Sequence, residues 1–318
     1  MSAYKNKRVF VTGPNGFKGK WLVRLLNRLG AEVYFFKGNV ANTREVNSAV
    51  AEANPDIAFH LAAISHTKAA AENPSLAFGV NVAGTMNVVK TCADAGCPVV
   101  VASTDRVYYN DGRPDNYKET DRLCGREVYS ASKACAELVA ESFGGDRVAI
   151  VRSSLCIGGN DFCQDRLFPA IVESIRTGVP LAVKNPYAIR PVLHVLDALR
   201  GYLVVGERML KNSEAGEAWN FAPREWFTVG HILRLVEDVW PEFHYSFGSR
   251  DESTREIGVV KLDSLKARER LGWADIWDNA TAVKMTVHWY QAHHQGVDVT
   301  DSVIKTYESF LAFFNWKN

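Results

Sequence analysis

Tyr129 and Lys133 are the residues of this chain whose types and spacing most directly suggest chemistry. They stand four positions apart, so in a helix both side chains project from one face. Free tyrosine has a pKa of about 10, which is too high for a base near neutrality. A lysine ammonium one turn away favours the phenolate and is expected to lower that pKa. The pair therefore predicts a proton-transfer device, and the alternative is an exposed helix that merely carries both residues.

A glycine-rich turn near the N-terminus predicts a dinucleotide site. An apolar run over 8–12 suits a buried strand, the turn 13–19 follows, and a helical pattern comes next. This order of strand, turn and helix is the context that a dinucleotide fingerprint requires. Gly13 permits the tight turn, Gly16 lets pyrophosphate approach the backbone, and Gly19 lets the helix pack against the strand. The alternative is a purely structural glycine turn.

The end of the second predicted strand is unusual for an NAD site. NAD enzymes place an acid near this point to hold the ribose hydroxyls, whereas this chain has Lys37. Contact of Lys37 with a ribose 2′-phosphate would favour NADP, and a solvated lysine at the strand end is the alternative. Gly38 and Asn39 follow at once and a helix begins near Thr43, so the adenosine side is short.

The rest of the chain predicts how these residues are positioned. A strand over 98–102 delivers 103–106 at its C-terminal end, where open α/β sheets bind ligands. Strands and helices alternate as far as Arg152, which predicts a doubly wound parallel sheet of the Rossmann type. Beyond it, loops and helices predict a smaller C-terminal α/β cap that binds substrate. We expect a dinucleotide-binding domain at 1–155, to which segments near 190–210 return, and a cap at 156–318.

Basic residues of the C-terminal half are candidates for binding a diphosphate. Arginines in loops of a nearly neutral chain suit such a ligand, and a surface salt bridge is the alternative for each of them. The candidates are Arg152, Arg166, Lys184 and Arg190.

Composition excludes several classes of function. The net charge of +1 in 318 residues gives no reason to expect binding to nucleic acid or to an anionic membrane. No apolar run is long enough to span a bilayer, and the first residues contain no apolar signal core. The six cysteines form no C-x-x-C pair or zinc pattern, so we expect reduced thiols, no metal and a cytoplasmic protein.

With these residues assembled, the chain resembles the extended short-chain dehydrogenases/reductases that act on nucleotide sugars. Within them it is most similar to the CDP-glucose 4,6-dehydratases, and the resemblance covers nearly the whole chain. The motifs that carry it lie at 12–19, 60–63, 81–85, 103–108, 129–133, 157–159, 165–167, 185–191, 194–196, 218–221, 261–263 and 271–273.

The resemblance implies a redox-neutral reaction through a tightly held NAD. Tyr129 would take the proton of the sugar C4 hydroxyl, Lys133 would hold the nicotinamide ribose, and Thr104 would hydrogen-bond the C4 oxygen. Asp105 would protonate the departing C6 hydroxyl, giving a 4-keto-6-deoxy sugar. The implied cofactor-binding residues are Gly13, Asn15, Gly16, Phe17, Gly19, Lys37, Asn39, Val40, Leu61, Ala62, Ala63, Asn81, Tyr129 and Lys133. The implied substrate-binding residues are Ser65, His66, Arg166, Lys184, Arg190 and Glu256.

The chain departs from the family pattern at several positions. Arg106 follows the acid at a position where most 4,6-dehydratases have glutamate, the presumed C5 base, and where the CDP-glucose branch has lysine. Arginine is no usable base at neutral pH, which makes dehydration a less secure expectation. We expect Arg106 to stabilise an enolate. Leu155 replaces an asparagine of the family. The stretch after the second strand is nearly absent and has Asn39 where an aspartate is expected, which predicts altered dinucleotide binding.

Two alternative functions use the same residues. A nucleotide-sugar C4 epimerase or 4-keto reductase would need Tyr129, Lys133 and Thr104 but no acid and base for C5 and C6. The second alternative is a protein that binds the nucleotide or dinucleotide but has lost turnover. By resemblance we also expect a homodimer or homotetramer whose contact is a bundle of the helices near 74–95 and 127–144.

Overall fold

The computed structural model of the protein describes residues 2–163, 166–211, 215–247 and 260–317. The strands in this part of the chain are β1 (Arg8–Thr12), β2 (Glu32–Phe36), β3 (Ile57–His60), β4 (Val99–Thr104), β5 (Val148–Ser153), β6 (Cys156–Ile157), β7 (Leu181–Val183), β8 (Ile189–Arg190), β9 (Leu193–His194), β10 (Ala218–Phe221), β11 (Phe227–Thr228) and β12 (Tyr245–Phe247). The α-helices are α1 (Phe17–Arg28), α2 (Thr43–Ala53), α3 (Thr67–Glu72), α4 (Pro74–Phe78), α5 (Gly84–Asp94), α6 (Val128–Gly144), α7 (Leu167–Thr177), α8 (Val195–Leu210), α9 (Val229–Val239), α10 (Leu265–Leu271), α11 (Asn279–His294) and α12 (Thr300–Lys317).

The main sheet has its strands in the order β2–β1–β3–β4–β5–β10, and every neighbouring pair is parallel. The chain runs from β1 to β2 on one side and then to β3 on the other side of β1. The order therefore reverses between β1 and β3, and in sheets of this kind ligands bind in the crevice at that point. The predicted doubly wound parallel sheet is confirmed.

Strand β2 forms one edge of the main sheet, since no described strand pairs with its outer side. Doubly wound dinucleotide-binding folds commonly have a further strand beyond this position. The connection from β2 to α2, residues 37–42, is too short to supply such a strand. The exposed edge includes Phe35, whose side chain is 44% exposed.

The strands bury both faces because alternate side chains point to opposite sides of the sheet. Val9 and Val11 pack in one apolar cluster with α1 and α8, whereas Phe10 packs in a second cluster with α2 and α5. Residues of β4 and β5 alternate in the same way, with Val100 in the first cluster and Val101 in the second. The continuous apolar runs of the sequence follow from burial on both faces.

The C-terminal part forms small two-stranded sheets, which pair β6 with β9, β7 with β12, and β8 with β11. Helix α8 returns to the main sheet and packs against α1, β4 and β5. Strand β10 returns to it as well and extends the sheet beyond β5. No helix of the described residues is long and apolar enough to cross a membrane.

The helix expected near 74–95 is present as a continuous helical run from Pro74 to Asp94, but its hydrogen bonding changes in the middle. Helices α4 and α5 are separated by a π-helical segment, Gly79–Ala83, which surrounds the buried Asn81. Such segments occur mostly as single turns inside helices and frequently at functional sites. Gly79 begins this segment and Gly84 follows it, and glycine weakens a regular helix, but glycine positions alone do not predict π-helical hydrogen bonding.

Candidate active site

Helix α6 positions Tyr129 and Lys133, and a capping box fixes its first turn. The Glu127 carboxylate accepts hydrogen bonds from the backbone N–H groups of Tyr129 and Ser130, both at 2.9 Å. The Ser130 side chain in turn is the partner of the Glu127 backbone N–H, at 3.3 Å. This reciprocal pair satisfies N–H groups that a helix start leaves free. The position of the Tyr129 side chain is therefore set by the helix start.

Tyr129 meets Thr104 and Asp105 at the C-terminal end of β4. Thr104 is hydrogen-bonded to Tyr129, and its hydroxyl donates to Asp105 Oδ1 at 3.0 Å. Burial raises the pKa of Asp105 above its usual range, although the hydrogen bond from Thr104 and the charges of Arg106 and Lys18 oppose this shift. A carboxyl group that retains its proton is suited to act as a general acid. The structure thus brings these three predicted catalytic residues together.

Lys133 is buried below the same site, with 4% of its surface exposed. Its ammonium donates a hydrogen bond to the Ala102 carbonyl oxygen at 2.8 Å. Burial lowers the pKa of Lys133 to about 8; the charge of Glu137 opposes this shift and that of Lys18 adds to it. The pKa of Lys133 is therefore close to the working pH range. Its ammonium lies next to the end of β4.

The expected lowering of the Tyr129 pKa by Lys133 is not what the structure shows. Burial raises the pKa of Tyr129, while the hydrogen bond with Thr104 and the positive charges of Lys18 and Arg166 act in the opposite direction. The positive charges that favour the Tyr129 phenolate are those of Lys18 and Arg166, and the Lys133 ammonium donates instead to the backbone of β4. Lys18 lies on α1, so the spacing of residues within α6 could not reveal that it acts on Tyr129.

The buried ion pair of Arg152 and Glu137 lies beneath this site. The Arg152 side chain is 2% exposed and Glu137 is 1% exposed, with Nη2 and Oε2 2.6 Å apart. Arg152 also donates to the Tyr108 hydroxyl at 2.7 Å. The interpretation of Arg152 as a diphosphate ligand is therefore wrong, because β5 directs its side chain into the interior toward α6.

The glycine turn between β1 and α1 has the shape that a dinucleotide requires. Gly13 has a φ of +70°, and a Cβ there would lie 2.7 Å from the Ala62 backbone nitrogen. A Cβ at Gly19 would lie 2.1 Å from the Gly13 carbonyl oxygen. At Gly16 the nearest neighbour of a Cβ would be that same oxygen at 3.4 Å, so the turn is open on this side. Gly16 caps α1 without a side-chain hydrogen bond, which leaves first-turn N–H groups for an anion.

A buried hydroxyl without a partner among the described residues directly follows β5, the strand next to β4. Ser154, which follows β5, is 3% exposed, and its Oγ has no hydrogen-bond partner among the described residues. Buried polar groups are normally hydrogen-bonded, so this hydroxyl is available to a ligand. The open glycine turn with Asn15 and Phe17, together with Ser154, therefore fits a dinucleotide.

The turn after β3 lies against the glycine turn. Leu61 donates its N–H to the Thr12 carbonyl oxygen at 3.2 Å, and Ala62 donates to the Thr12 hydroxyl at 3.2 Å. Ala63 continues this segment of small side chains. Asn81 accepts from the Ile64 N–H at 2.8 Å and donates to the Ser132 hydroxyl at 2.8 Å. Since its polar atoms are engaged within the protein, Asn81 acts here by fixing the turn after β3 to α6.

The adenosine side contains a short loop and a cavity. Asn39 accepts the Ala41 N–H at 3.0 Å, and its own N–H donates to Glu45 at 2.7 Å, so it belongs to the loop before α2. Val40 is buried in the cluster between α2 and α5. A cavity of about 590 Å³ opens beside the turn and is lined by Asn15, Lys20 and Lys37, among others. Lys37 is exposed, and positive charge faces this cavity.

Arg106 lies at the mouth of the site, next to the predicted substrate residues Ser65 and His66. Its Nη1 donates to the Thr67 hydroxyl at 2.7 Å and lies 3.9 Å from Glu127 Oε1. His66 caps α3 by accepting the Ala69 N–H at 3.4 Å, and Ser65 is exposed. Arg106 is 42% exposed, so its guanidinium is accessible from solvent.

The other predicted substrate residues lie in the C-terminal part. Arg166 forms an ion pair with Asp161 at 2.8 Å, and its charge acts on Tyr129, which places it toward the site. Lys184 is exposed after β7, and Arg190 lies in β8, where its Nη1 donates to the Ile189 carbonyl oxygen at 3.0 Å. Glu256 lies outside the described residues, as does position 165 of the motif over 165–167.

Comparison with known proteins places this arrangement in a family. The profile of the NAD dependent epimerase/dehydratase family matches residues 9–222, which is more than half of the chain and includes the glycine turn, Thr104 and α6. The chain belongs to this family.

Relatives within the family include sugar-nucleotide dehydratases. The chain is 32% identical to the CDP-glucose 4,6-dehydratase of Salmonella typhimurium over 336 aligned positions, covering 93% of this chain and 94% of that protein. It is 29% identical to a dTDP-glucose 4,6-dehydratase of Streptomyces antibioticus, covering 81% and 76% of the two chains. The predicted resemblance is confirmed, and the chain is an enzyme of the NAD-dependent type.

Structures of family members have the same fold. The UDP-glucose 4-epimerase of Thermotoga maritima superposes with a TM-score of 0.80 at 18% identity, covering 90% of this chain and 99% of that one. The dTDP-glucose 4,6-dehydratase of Streptomyces venezuelae, solved with NAD bound, superposes with a TM-score of 0.76 at 24% identity, covering 92% and 99%. Epimerases and dehydratases thus share this architecture, so the choice between their reactions depends on side chains.

Proposed function

We propose that this protein is a nucleotide-sugar 4,6-dehydratase, a lyase that converts CDP-glucose or a close relative to a 4-keto-6-deoxy sugar. The observation that carries the proposal is the convergence of Thr104, Asp105 and Tyr129 at the end of β4, beside the crevice of the glycine turn. An epimerase or reductase needs the tyrosine but has no use for an acid next to it, and burial raises the pKa of Asp105 in the direction that suits an acid. The similarity to the Salmonella typhimurium enzyme along nearly the full length supports the same choice.

Different residues of the site act at different steps of the reaction. Tyr129 takes the proton of the C4 hydroxyl, and Thr104 hydrogen-bonds the C4 oxygen as its charge changes. Once C4 is a ketone, the C5 proton is acidic and passes to solvent water at the mouth of the site, where the 42% exposed Arg106 guanidinium stabilises the resulting enolate. Asp105 then donates its proton to the C6 hydroxyl, which leaves as water.

The cofactor is NAD, held by the glycine turn, the first turn of α1 and Lys133. When bound, it supplies the hydride acceptor for the sugar and later the hydride donor. Positive charge from Lys37 and Lys20 at the adenosine cavity makes NADP the alternative. Titration with both dinucleotides separates the two: tighter binding of NADP that is lost in Lys37→Glu assigns the cavity to the 2′-phosphate.

The diphosphate of the substrate is assigned to basic residues of the C-terminal part. Arg166 is the best placed of them, because its charge already acts on Tyr129. Lys184 and Arg190, together with Ser65 and His66 at the mouth, complete the proposed substrate contacts.

A panel of nucleotide sugars tests the proposed function. The protein is incubated with CDP-glucose, dTDP-glucose and UDP-glucose, and the products are separated and identified by mass and by NMR. We expect a 4-keto-6-deoxy product from CDP-glucose without net consumption of dinucleotide. A C4 epimer, or stoichiometric use of NADH, would establish the epimerase or reductase instead. Absence of any product together with absence of retained dinucleotide would contradict the dehydratase and favour a binding protein that has lost turnover.

Asp105→Asn is expected to separate the two halves of the reaction. The amide cannot donate the proton that the C6 hydroxyl needs, so formation of the 4-keto-6-deoxy product falls by about 10²-fold. Oxidation at C4 requires Tyr129 and bound NAD but not Asp105, so it is expected to persist and to allow the C5 hydrogen to exchange with deuterium from solvent. Mass spectrometry of substrate and product measures both. Equal loss of exchange and dehydration would contradict the assignment of Asp105 as the acid.

An oligomer is proposed from exposed apolar side chains on the predicted contact helices. Leu138 and Phe143 of α6 are 59% and 45% exposed, and Leu76 of α4 is 49% exposed. Leu138→Glu would bury an unpaired carboxylate and is expected to weaken the dimer by about 10²-fold. Light scattering after gel filtration measures the mass, and Leu265→Glu on α10, which is 52% exposed in the wild type, is the matched control. A monomeric wild type, or an unchanged mass in Leu138→Glu, would refute this contact.

A further inference from the structure

We propose that Lys18 is a positioning residue of the proton-transfer group, whose fixed ammonium stabilises the phenolate of Tyr129. This inference rests on the proposed function of Tyr129 as the base. Lys18 lies in the first turn of α1, directly after the glycine turn. In the sequence it is only one residue of the glycine-rich motif. Its role depends on contacts that only the folded chain creates.

The Lys18 ammonium is anchored between the sheet and α8. Its Nζ donates to the Ser153 hydroxyl at 2.6 Å and to the Tyr202 hydroxyl at 3.0 Å. Those two hydroxyls lie 3.1 Å apart, so the three groups form a closed triangle. Both partners are buried, with Ser153 3% and Tyr202 0% exposed. The charge is therefore held at a defined position and is not free to swing into solvent.

That position lies directly beside the catalytic strand end. Ser153 is the last residue of β5 and is paired in register with Thr104, the last residue of β4. Thr104 in turn is hydrogen-bonded to Tyr129. The anchor of Lys18 and the partner of Tyr129 are thus neighbours across one pair of parallel strands, which lie about 4.8 Å apart.

The charges that face Tyr129 come from several elements. Lys18 from α1 and Arg166 from the start of α7 favour the phenolate, whereas Asp105 after β4 disfavours it, and burial raises the pKa of the phenol overall. Arg166 is paired with Asp161, which offsets its charge. Lys18 has no carboxylate partner among its described hydrogen bonds, so its positive charge is not offset by an anion in direct contact.

Lys18 carries its charge throughout the working pH range. Burial acts to lower the pKa of Lys18, but the charges of Cys156 and Tyr202 and the hydrogen bond with Tyr202 outweigh it and raise the pKa above its ordinary value. The residue therefore supplies constant positive charge and does not itself carry a proton in the reaction. The same charge favours the carboxylate of Asp105 and the neutral form of Lys133.

The test is a direct titration of the Tyr129 phenol without substrate. Tyrosinate absorbance is followed against pH in the full-length protein, and the curve of each variant's Tyr129→Phe counterpart is subtracted. We expect Lys18→Met to move the Tyr129 titration upward by about one pH unit, since an opposite charge nearby is worth about that much. Lys18→Arg is expected to restore it, and Lys284→Met, which removes an exposed lysine of α11, is the matched control. An unchanged titration in Lys18→Met would overturn the proposal.

A second variant separates the charge from packing. Lys18→Gln retains hydrogen-bond donors for Ser153 and Tyr202 but removes the charge, so it is expected to show the same upward shift even if Lys18→Met does not fold. No shift in Lys18→Gln would also overturn the proposal. Because the titration needs no turnover, a failure of the proposed dehydratase activity leaves its outcome readable. Where turnover is measurable, the acidic limb of the pH profile is expected to move by the same amount in the same variants.

Discussion

Replacing Tyr129 by phenylalanine is expected to lower kcat by about 10²- to 10⁴-fold, the contribution of a positioned general base. The change removes one hydroxyl and keeps the ring that α6 holds against β4. Thr104 and Lys133 remain in place, but neither can take the C4 proton, since Thr104 is a weak base and Lys133 donates to the Ala102 carbonyl oxygen. The loss is expected in kcat and in kcat/KM alike, because the interaction belongs to the transition state.

The measurement is steady-state formation of the 4-keto product by wild type and Tyr129→Phe. Tyr34→Phe, which removes a tyrosine hydroxyl from β2, serves as the matched control and is expected to retain wild-type turnover. Equal thermal midpoints and equal dinucleotide affinities of the three proteins would exclude misfolding as the cause. A kcat within threefold of wild type in Tyr129→Phe would contradict the assignment of the base.

Breaking the buried ion pair beneath the site is expected to destabilise the protein by about 3–5 kcal/mol. Arg152→Met leaves the Glu137 carboxylate buried without its partner, and Glu137→Gln leaves Arg152 uncompensated in the same way. Each side chain is at most 2% exposed, so solvent cannot take over the lost contact. The Arg152→Met change also removes the hydrogen bond to the Tyr108 hydroxyl, which ties β5 to the segment after β4.

Denaturant unfolding of both single variants and of the double variant measures this effect. We expect the double variant to lose clearly less than the sum of the single changes, because neither charge is then left alone. Lys90→Met, which breaks the exposed pair with Asp94, is the control and is expected to cost under about 1 kcal/mol. A wild-type free energy of unfolding in Arg152→Met would show that the pair contributes nothing to stability.

Local patterns in the sequence predicted the parts of the site that local sequence determines. The glycine turn follows from steric demands within a few residues, and the structure shows them at Gly13 and Gly19. The strands and helices before Arg152 were predictable because burial on both faces leaves apolar runs of characteristic length. The apolar run of β4 also marked where this strand ends, and therefore placed Thr104 and Asp105 at its C-terminal end.

The parts that were missed depend on contacts between residues distant in the chain. Lys18 reaches Ser153 and Tyr202, which lie 135 and 184 positions away, and no spacing rule connects them. Arg152 was interpreted as a ligand of a diphosphate because it ends the regular alternation of elements. Its true partner, Glu137, is set by the packing of α6 on β5. Long side chains at element ends are ambiguous in sequence, because pairing decides whether they face the core or a ligand.

The most direct test of the account is the path of one hydrogen. CDP-glucose that carries deuterium at C4 is converted by the protein, and the position of the label in the product is determined by NMR and mass spectrometry. We predict a 4-keto-6-deoxy sugar that retains the deuterium at C6 of the same molecule, with no label exchanged between molecules. A product that retains its C6 hydroxyl and carries the label at C4, as an epimerase would give, would contradict dehydration by internal hydride transfer.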